Sequence, residues 1–96
     1  MEPLEQEFCS KGVLRGGILL LKATDALEMV RRCRELGVEV LGIDGFRITD
    51  QTTQPLMEES IDLSKPGGAH DGWTLAEAFL GRRADTDIFF EVVIRA

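Results

Sequence analysis

Residues 88–94 read Ile-Phe-Phe-Glu-Val-Val-Ile, and this stretch has the clearest strand pattern in the chain. Every second residue from Ile88 to Ile94 is apolar, which predicts a strand with one face against a core. The alternate face is half apolar, because it carries Phe89 and Val93. An exposed apolar face in so small a domain favours self-association, so we expect a possible homodimer.

A helix pattern precedes this strand over residues 73–80. Thr74 and Glu77 have the spacing of a capping box, and Gly81 is typical of a helix end. Apolar residues fall on one side of the helix, which predicts that they point inward: Leu75, Ala76, Phe79 and Leu80.

The same helix–turn–strand unit occurs earlier, over residues 25–43. Asp25 with Glu28 has capping-box spacing, and Gly37 supplies the left-handed position at the helix end. Residues 38–43 then continue as a strand. The run Ile18–Leu21 before the helix is a short, wholly apolar stretch, which predicts another buried strand.

The segment between the two units allows two interpretations. Asp44-Gly45 marks either a hairpin turn or a bend within one long strand, and we favour the bend because residues 50–54 form a roomier turn. Residues 56–63 would then return as a strand, although Pro55 also fits the start of a short helix.

These elements predict an α+β domain with the order β-α-β-β-α-β. This is the ferredoxin-like split β-α-β arrangement, an antiparallel sheet with two helices on one face. We expect residues 1–12 to form a loose N-terminal arm. Within this arm, Leu4 and Phe8 are the residues that could dock on the body of the domain. Residues 13–96 would form the single domain.

The length and charge of the chain argue against several classes of function. The chain has 96 residues, a net charge of −6 and a pI near 4.7. This balance argues against binding to nucleic acid or to an anionic membrane, since both need clustered Lys and Arg. The acidic N-terminus lacks the basic and apolar segments of a signal peptide, so we expect a cytoplasmic protein.

The few metal-binding residue types argue against a metal or a cofactor. There are two cysteines, no CxxC motif and one histidine, too few for a convincing zinc site. Cys33 falls on the apolar side of the first predicted helix and is interpreted as a small buried residue.

Residues 42–48, Gly-Ile-Asp-Gly-Phe-Arg-Ile, form a motif-like stretch. They are similar to a strand motif of the α-amylase family of glycoside hydrolases. In that family an Asp nucleophile follows, at the position that Thr49 occupies here. Retaining glycosidases require that carboxylate, and the chain is too short for a (β/α)8 barrel. We therefore interpret the stretch as a strand with a glycine bend.

The loop over residues 66–72 is the candidate for small-ligand chemistry. Gly67, Gly68 and His70 precede a helix and could cradle a ligand, although no GxGxxG or Walker motif is present. His70 and Asp71 are also the weak catalytic candidates, because this is the only position for a histidine base. A flexible connector is the alternative interpretation.

Charge segregation is the most informative feature for function. Residues 11–34 carry six basic and two acidic groups, whereas residues 50–62 carry four acidic groups and no basic one. Such a segment favours contact with a basic partner. The predicted partner-binding residues are Asp50, Glu58, Glu59, Asp62 and Trp73.

Three hypotheses follow. The first is a non-enzymatic protein-binding module that presents an acidic surface to a basic partner, a profile shared by small immunity proteins and antitoxins. The second is a small-molecule-binding or regulatory ferredoxin-like dimer, with its ligand near residues 65–73. The third is a small enzyme that uses the same loop, which we regard as the weakest because the chain shows no catalytic signature.

Overall fold

The computed structural model describes residues 3–64 and 71–95. It contains three helices and five strands, in the order α1 (Pro3–Phe8), β1 (Val13–Arg15), β2 (Ile18–Lys22), α2 (Ala23–Leu36), β3 (Val40–Ile48), β4 (Thr53–Asp62), α3 (Gly72–Gly81) and β5 (Phe89–Ile94). A short 3₁₀ turn, Cys9–Lys11, joins α1 to β1.

All five strands lie in one antiparallel sheet, in the order β1-β2-β5-β3-β4. The predicted α+β class is therefore confirmed. The exact ferredoxin-like arrangement with two helices is not confirmed. Both α1 and β1 precede the predicted unit, and the four strands of that unit lie in the order β2-β5-β3-β4.

The main core lies between one face of the sheet and the helices. Leu21, Ile43 and Phe90 contribute from the strands, and Met29 and Phe79 contribute from α2 and α3. The rings of Phe79 and Phe90 meet edge to face, with their centroids 6.1 Å apart. We call this side of the sheet the first face. Helix α3 lies over β3, and α2 lies against β2 and β5.

The N-terminal segment differs from the predicted loose arm. Residues 3–8 form α1, and Leu4 and Phe8 are both buried in the main core. Burial of two large apolar side chains opposes the conformational entropy of a free arm. The sequence analysis allowed Leu4 and Phe8 to dock on the domain, and both do so in the structure.

The predicted helix caps are wrong in detail. Helix α2 begins at Ala23, ahead of Thr24 and Asp25, and Lys22 occupies the N-cap position without a side-chain cap. In α3 the cap is Asp71 rather than Thr74. At the end of α2, Gly37 adopts the predicted left-handed conformation, with φ of 70°, and its N–H donates to the Arg34 carbonyl.

The region around the Asp44-Gly45 pair follows the favoured interpretation. Residues 40–48 form one strand, the turn lies at residues 49–52, and residues 53–62 return as strand β4. The alternative helix from Pro55 is not found. Pro55 instead lies on an edge strand, where the missing N–H leaves no sheet hydrogen bond unmade.

The sheet is rolled, so that its two edges approach each other. Arg15 lies on β1, and its Nη2 donates to the carbonyl of Thr49, 2.8 Å away in the turn between β3 and β4. Its Nη1 donates to the Thr53 hydroxyl at 3.3 Å. Leu20 on β2 is fully buried, yet it lies outside the main core and on the opposite side of β2 from Leu21. We call the side of the sheet opposite the main core the second face.

Candidate functional site: a groove on the second face of the sheet

Strand β4 contains a large β-bulge, in which four of its residues lie opposite one residue of β3. Ile61 pairs with Ile43 and Leu56 pairs with Gly45, so the single residue Asp44 lies opposite the four residues 57–60. We call residues 57–60 the bulge. A Cβ atom at Gly45 would lie 2.7 Å from the Glu59 Cβ and still closer to the Glu59 carbonyl oxygen. The bulge therefore requires glycine at position 45.

Two side chains of the bulge fix it to the rest of the fold. The Ser60 hydroxyl accepts from the Gly45 N–H at 3.2 Å and donates to the Leu56 carbonyl at 3.0 Å. Glu59 accepts from Arg83 Nε at 2.5 Å. Arg83 also covers the Phe79 ring, with its guanidinium carbon 3.8 Å from the ring centroid. The bulge is thus tied to both β3 and α3.

The other two bulge residues face solvent. Met57 is 87% exposed, the largest exposure among the large apolar residues of the described chain, and Glu58 is exposed beside it. A thioether side chain left in water next to a carboxylate has no role in packing the core. Met57 therefore lies on an anchored segment with its side chain open to solvent.

Met57 forms one wall of a groove with a volume of about 680 Å³ on the second face of the sheet. The groove lies over β3, β4 and the end of β5. Its apolar lining includes Leu41, Phe46, Pro55, Met57 and Val93, and its acidic lining consists of Asp44 and Asp62. No basic residue of the described chain lines it.

Beside the groove, Asp44 and Glu91 lie directly opposite each other on β3 and β5. Like charges in this position destabilise a sheet. Burial, followed by the negative charges of Asp44 and Glu5, raises the pKa of Glu91 above its ordinary value. Neither Asp44 nor Glu91 takes part in an ion pair within residues 3–64 and 71–95, so negative charge is concentrated at this part of the second face.

Most of the basic residues in residues 11–34 form ion pairs with carboxylates of the same chain. Four of the six basic residues in residues 11–34 form ion pairs with carboxylates of the described chain, and Arg83 and Arg95 form two more. The pairs are Lys11–Glu28, Arg31–Glu77, Arg32–Glu7, Arg34–Glu77, Arg83–Glu59 and Arg95–Glu39. Five of these pairs lie outside the β4 segment.

The four predicted acidic partner-binding residues have different roles. Asp50 and Glu58 are exposed, on the β3–β4 turn and on the bulge. Glu59 is held by Arg83, as described above. Asp62 lines the groove, and its Oδ1 accepts from the Ser64 N–H at 2.9 Å. Only three of the four therefore present a carboxylate to solvent.

Trp73 is used inside the fold. Its indole N–H donates to the Val38 carbonyl at 2.8 Å, and its ring packs against the main core. Arg34 lies over the ring, with its guanidinium carbon 5.9 Å from the centroid. The half-buried indole is anchored between α3 and the start of β3, and it does not line the groove.

The predicted ligand-binding residues Gly67, Gly68 and His70 lie outside the described residues. Asp71, the other weak catalytic candidate, caps α3 by accepting from the N–H groups of Trp73 and Thr74. Burial opposes ionisation of Asp71, but hydrogen bonds from the Thr74 hydroxyl and from Arg34 outweigh it and lower the pKa of this carboxyl. A carboxylate that already accepts these hydrogen bonds is a poor proton acceptor at neutral pH.

Sequence reasoning missed Asp44, Phe46 and Met57 as members of one surface. One signal was available for Met57. In β4 the pattern alternates around a single buried leucine, Leu56, so its neighbour Met57 had to point the other way. The groove itself depends on the bulge and on the rolled sheet, and neither follows from periodicity.

Comparisons with models of protein families, with curated proteins and with solved structures found no match for this chain. Across residues 3–64 and 71–95, no helix has the length and apolar character needed to span a bilayer. The same residues contain no group of three or more metal-binding side chains placed to hold a metal ion.

Proposed function

We propose that this chain is a non-enzymatic protein-binding module that presents the bulge and the acidic second face to a basic partner. The observation that carries the proposal is Met57, an 87% exposed apolar side chain on a bulge that is fixed from both sides. It lies between Glu58 and a groove with acidic lining. An apolar anchor surrounded by like charge is typical of a surface that binds an oppositely charged protein.

The anchoring of the bulge supports binding rather than catalysis. A segment held by Arg83 and by the Ser60 hydroxyl loses little conformational entropy when a partner docks. No described side chain on this surface pairs a nucleophile with a base, whereas an acidic surface accelerates encounter with a basic protein.

Affinity capture tests the proposal. The immobilised chain is compared with a Met57→Ser/Glu58→Gln variant, in lysate of the cells that contain the protein, with quantitative mass spectrometry. We expect the wild-type chain to retain a protein of basic pI that the variant does not retain. Because exposed ionic contacts are screened by salt, the captured protein should elute at roughly 0.3–0.5 M salt.

Glu35→Gln is the matched control. It makes the same charge change on α2, at a side chain that is 68% exposed and remote from the groove lining. The control should retain the partner as the wild type does. Recovery of the same proteins by all three chains, or of none that depends on residues 57 and 58, would contradict the proposal.

The groove also supports a second candidate function, a small-molecule-binding or regulatory domain. Its volume of about 680 Å³ falls in the usual range of ligand sites, roughly 300–1,000 Å³. The elements from β2 to β5 follow one another along the chain as β-α-β-β-α-β, which supports the ferredoxin-like dimer predicted from the sequence, although the ferredoxin-like sheet itself is not confirmed. A thermal-shift screen with metabolites tests this candidate. A hit that Asp44→Asn abolishes would favour it, and a monomer without any hit would count against it.

A further inference from the structure

The walls of the groove define the first requirement for its occupant. Phe46 and Val93 come from neighbouring strands of the second face, and Met57 rises from the bulge opposite them. These side chains present apolar surface to water that a ligand can cover. At roughly 25 cal/mol per Å² of apolar surface removed from water, covering them favours a bulky apolar group.

Charge gives the second requirement. Asp44 lies within the groove and Glu91 lies across from it on β5, while Glu58 lies on the outer side of the bulge. The ion pairs of the described chain involve none of these three carboxylates. Arg47 is next to Phe46 in sequence, but alternation along β3 directs it to the other face. The groove therefore complements a cation.

We propose that the groove binds an extended segment of a partner protein in which a bulky apolar side chain is flanked by Lys or Arg. The apolar side chain lies on Phe46 and Met57, and a flanking cation reaches Asp44. The aliphatic stem of Lys or Arg also covers apolar surface while its charged end remains in water. This inference rests on the proposed function, since it specifies the part of the basic partner that makes the contact.

A second copy of the chain fits the groove poorly. A symmetric contact through this surface would place Asp44 and Glu58 of one copy against the same residues of the other. Pairing through the free edge of β4 is also blocked, because Pro55 lacks an N–H and the bulge interrupts the edge. The cations that such a contact would need are mostly held in internal ion pairs.

Calorimetric titration of the intact chain with three capped peptides tests the inference. The probe is Gly-Lys-Leu-Lys-Phe-Lys-Gly. One control replaces each Lys by Glu, and the other replaces Leu and Phe by Ser. We expect measurable binding of the probe alone. Asp44→Asn should weaken it about five-fold, the effect of one exposed charge pair, and Met57→Ser should weaken it similarly. Glu35→Gln should bind as the wild type does.

Besides a failure of the probe to bind, four outcomes would overturn the inference. Two of them concern the peptides: the acidic peptide or the serine peptide binds as tightly as the probe. The third is a loss of affinity for the probe in Glu35→Gln but not in Asp44→Asn. The fourth is a free chain with twice the monomer mass, which Met57→Ser returns to the monomer. If the probe does not bind while the Met57→Ser/Glu58→Gln variant still loses the captured partner, the groove inference fails and the proposed function stands. If the probe binds as expected but no captured partner depends on the bulge, the proposed function fails.

Discussion

Arg83 and Glu59 join α3 to the bulge of β4 through a hydrogen-bonded ion pair, with 2.5 Å between Nε and Oε2. Both side chains are mostly covered, at 20% and 25% exposure. Arg83 additionally donates from Nη1 to the Phe79 carbonyl and lies on the Phe79 ring. One arginine thus connects the main core to the surface that we propose as the binding site.

Removal of either partner should lower stability by an amount set by this partial burial. Arg83→Ala is expected to cost about 2 kcal/mol, because it leaves Glu59 without its partner and uncovers Phe79. Glu59→Gln should cost about 1 kcal/mol, since an amide still accepts a hydrogen bond. Chemical denaturation of the two single variants and the double variant measures the coupling. Strictly additive losses would show that the pair does not act as a unit.

Gly45→Ala tests the bulge geometry. The added Cβ would meet the Glu59 backbone and Cβ, and overpacking of this kind costs roughly 1–3 kcal/mol. Gly81→Ala is the matched control, because a Cβ there has no neighbour within 4 Å and φ is not positive. Thermal unfolding should show a loss for Gly45→Ala and no loss for Gly81→Ala. Equal effects would contradict the assigned contact.

Glu91 provides a prediction about pH. Its pKa is raised by burial and by the charges of Asp44 and Glu5. A carboxyl with a raised pKa in the folded state stabilises the fold below its unfolded pKa, and this contribution is lost as the pH rises through the folded value. Because Glu91 is only partly buried, solvent screens the effect. Glu91→Gln should therefore gain roughly 0.5 kcal/mol at pH 7 and little below about pH 4.

Unfolding curves of wild type, Glu91→Gln and Glu35→Gln at the two pH values check this expectation. The Glu35 variant removes an exposed charge and should follow the wild type at both. A Glu91→Gln variant that is less stable than wild type at pH 7 would show that the carboxylate is favourable where it lies.

Cys33 provides a chemical test of the core. Burial raises its pKa to about 11 from an ordinary 9.0, and the side chain is fully covered. The thiolate is the reactive form, so Cys33 should resist an aromatic disulfide reagent at pH 8, whereas Cys9 is only partly buried. In Cys9→Ser, which retains Cys33 alone, we expect no thiol reaction until denaturant is added. Rapid reaction of the native variant would contradict the described packing.

The raised pKa of Cys33 also predicts a loss of folding stability at high pH. The unfolded thiol loses its proton near pH 9 while the folded thiol keeps it to about pH 11. The unfolded state therefore binds fewer protons in this window, and stability falls as the pH rises. Cys33→Ala should show a shallower fall over the same range, measured by chemical denaturation.

The fold was predictable where side-chain periodicity is strong. The alternation in residues 88–94 and the helix end at Gly37 both depend on local physics, and both are present in the structure. The cap at Asp71 was missed because Thr74 with Glu77 gave the expected spacing, yet Glu77 is drawn to Arg31 and Arg34. Long-range ion pairs of this kind do not leave a signal at fixed sequence spacing.

The candidate site was less predictable than the fold. Charge counting located Glu58 on an exposed acidic segment, but it grouped Glu58 with Glu59, whose carboxylate faces Arg83 twenty-four residues away. The groove joins Phe46, Met57 and Val93 through a bulge and a sheet whose rolled shape brings Arg15 to the β3–β4 turn. These relationships arise from tertiary packing, which a linear pattern does not encode.

Chemical-shift mapping of the intact ¹⁵N-labelled chain with the Gly-Lys-Leu-Lys-Phe-Lys-Gly peptide shows directly whether the groove is the binding surface. We expect the largest amide shifts at Gly42, Asp44, Met57 and Val93, and we expect them to diminish as salt is raised because the contact is partly ionic. Shifts confined to α2 and α3, or shifts that are unchanged by salt, would contradict it.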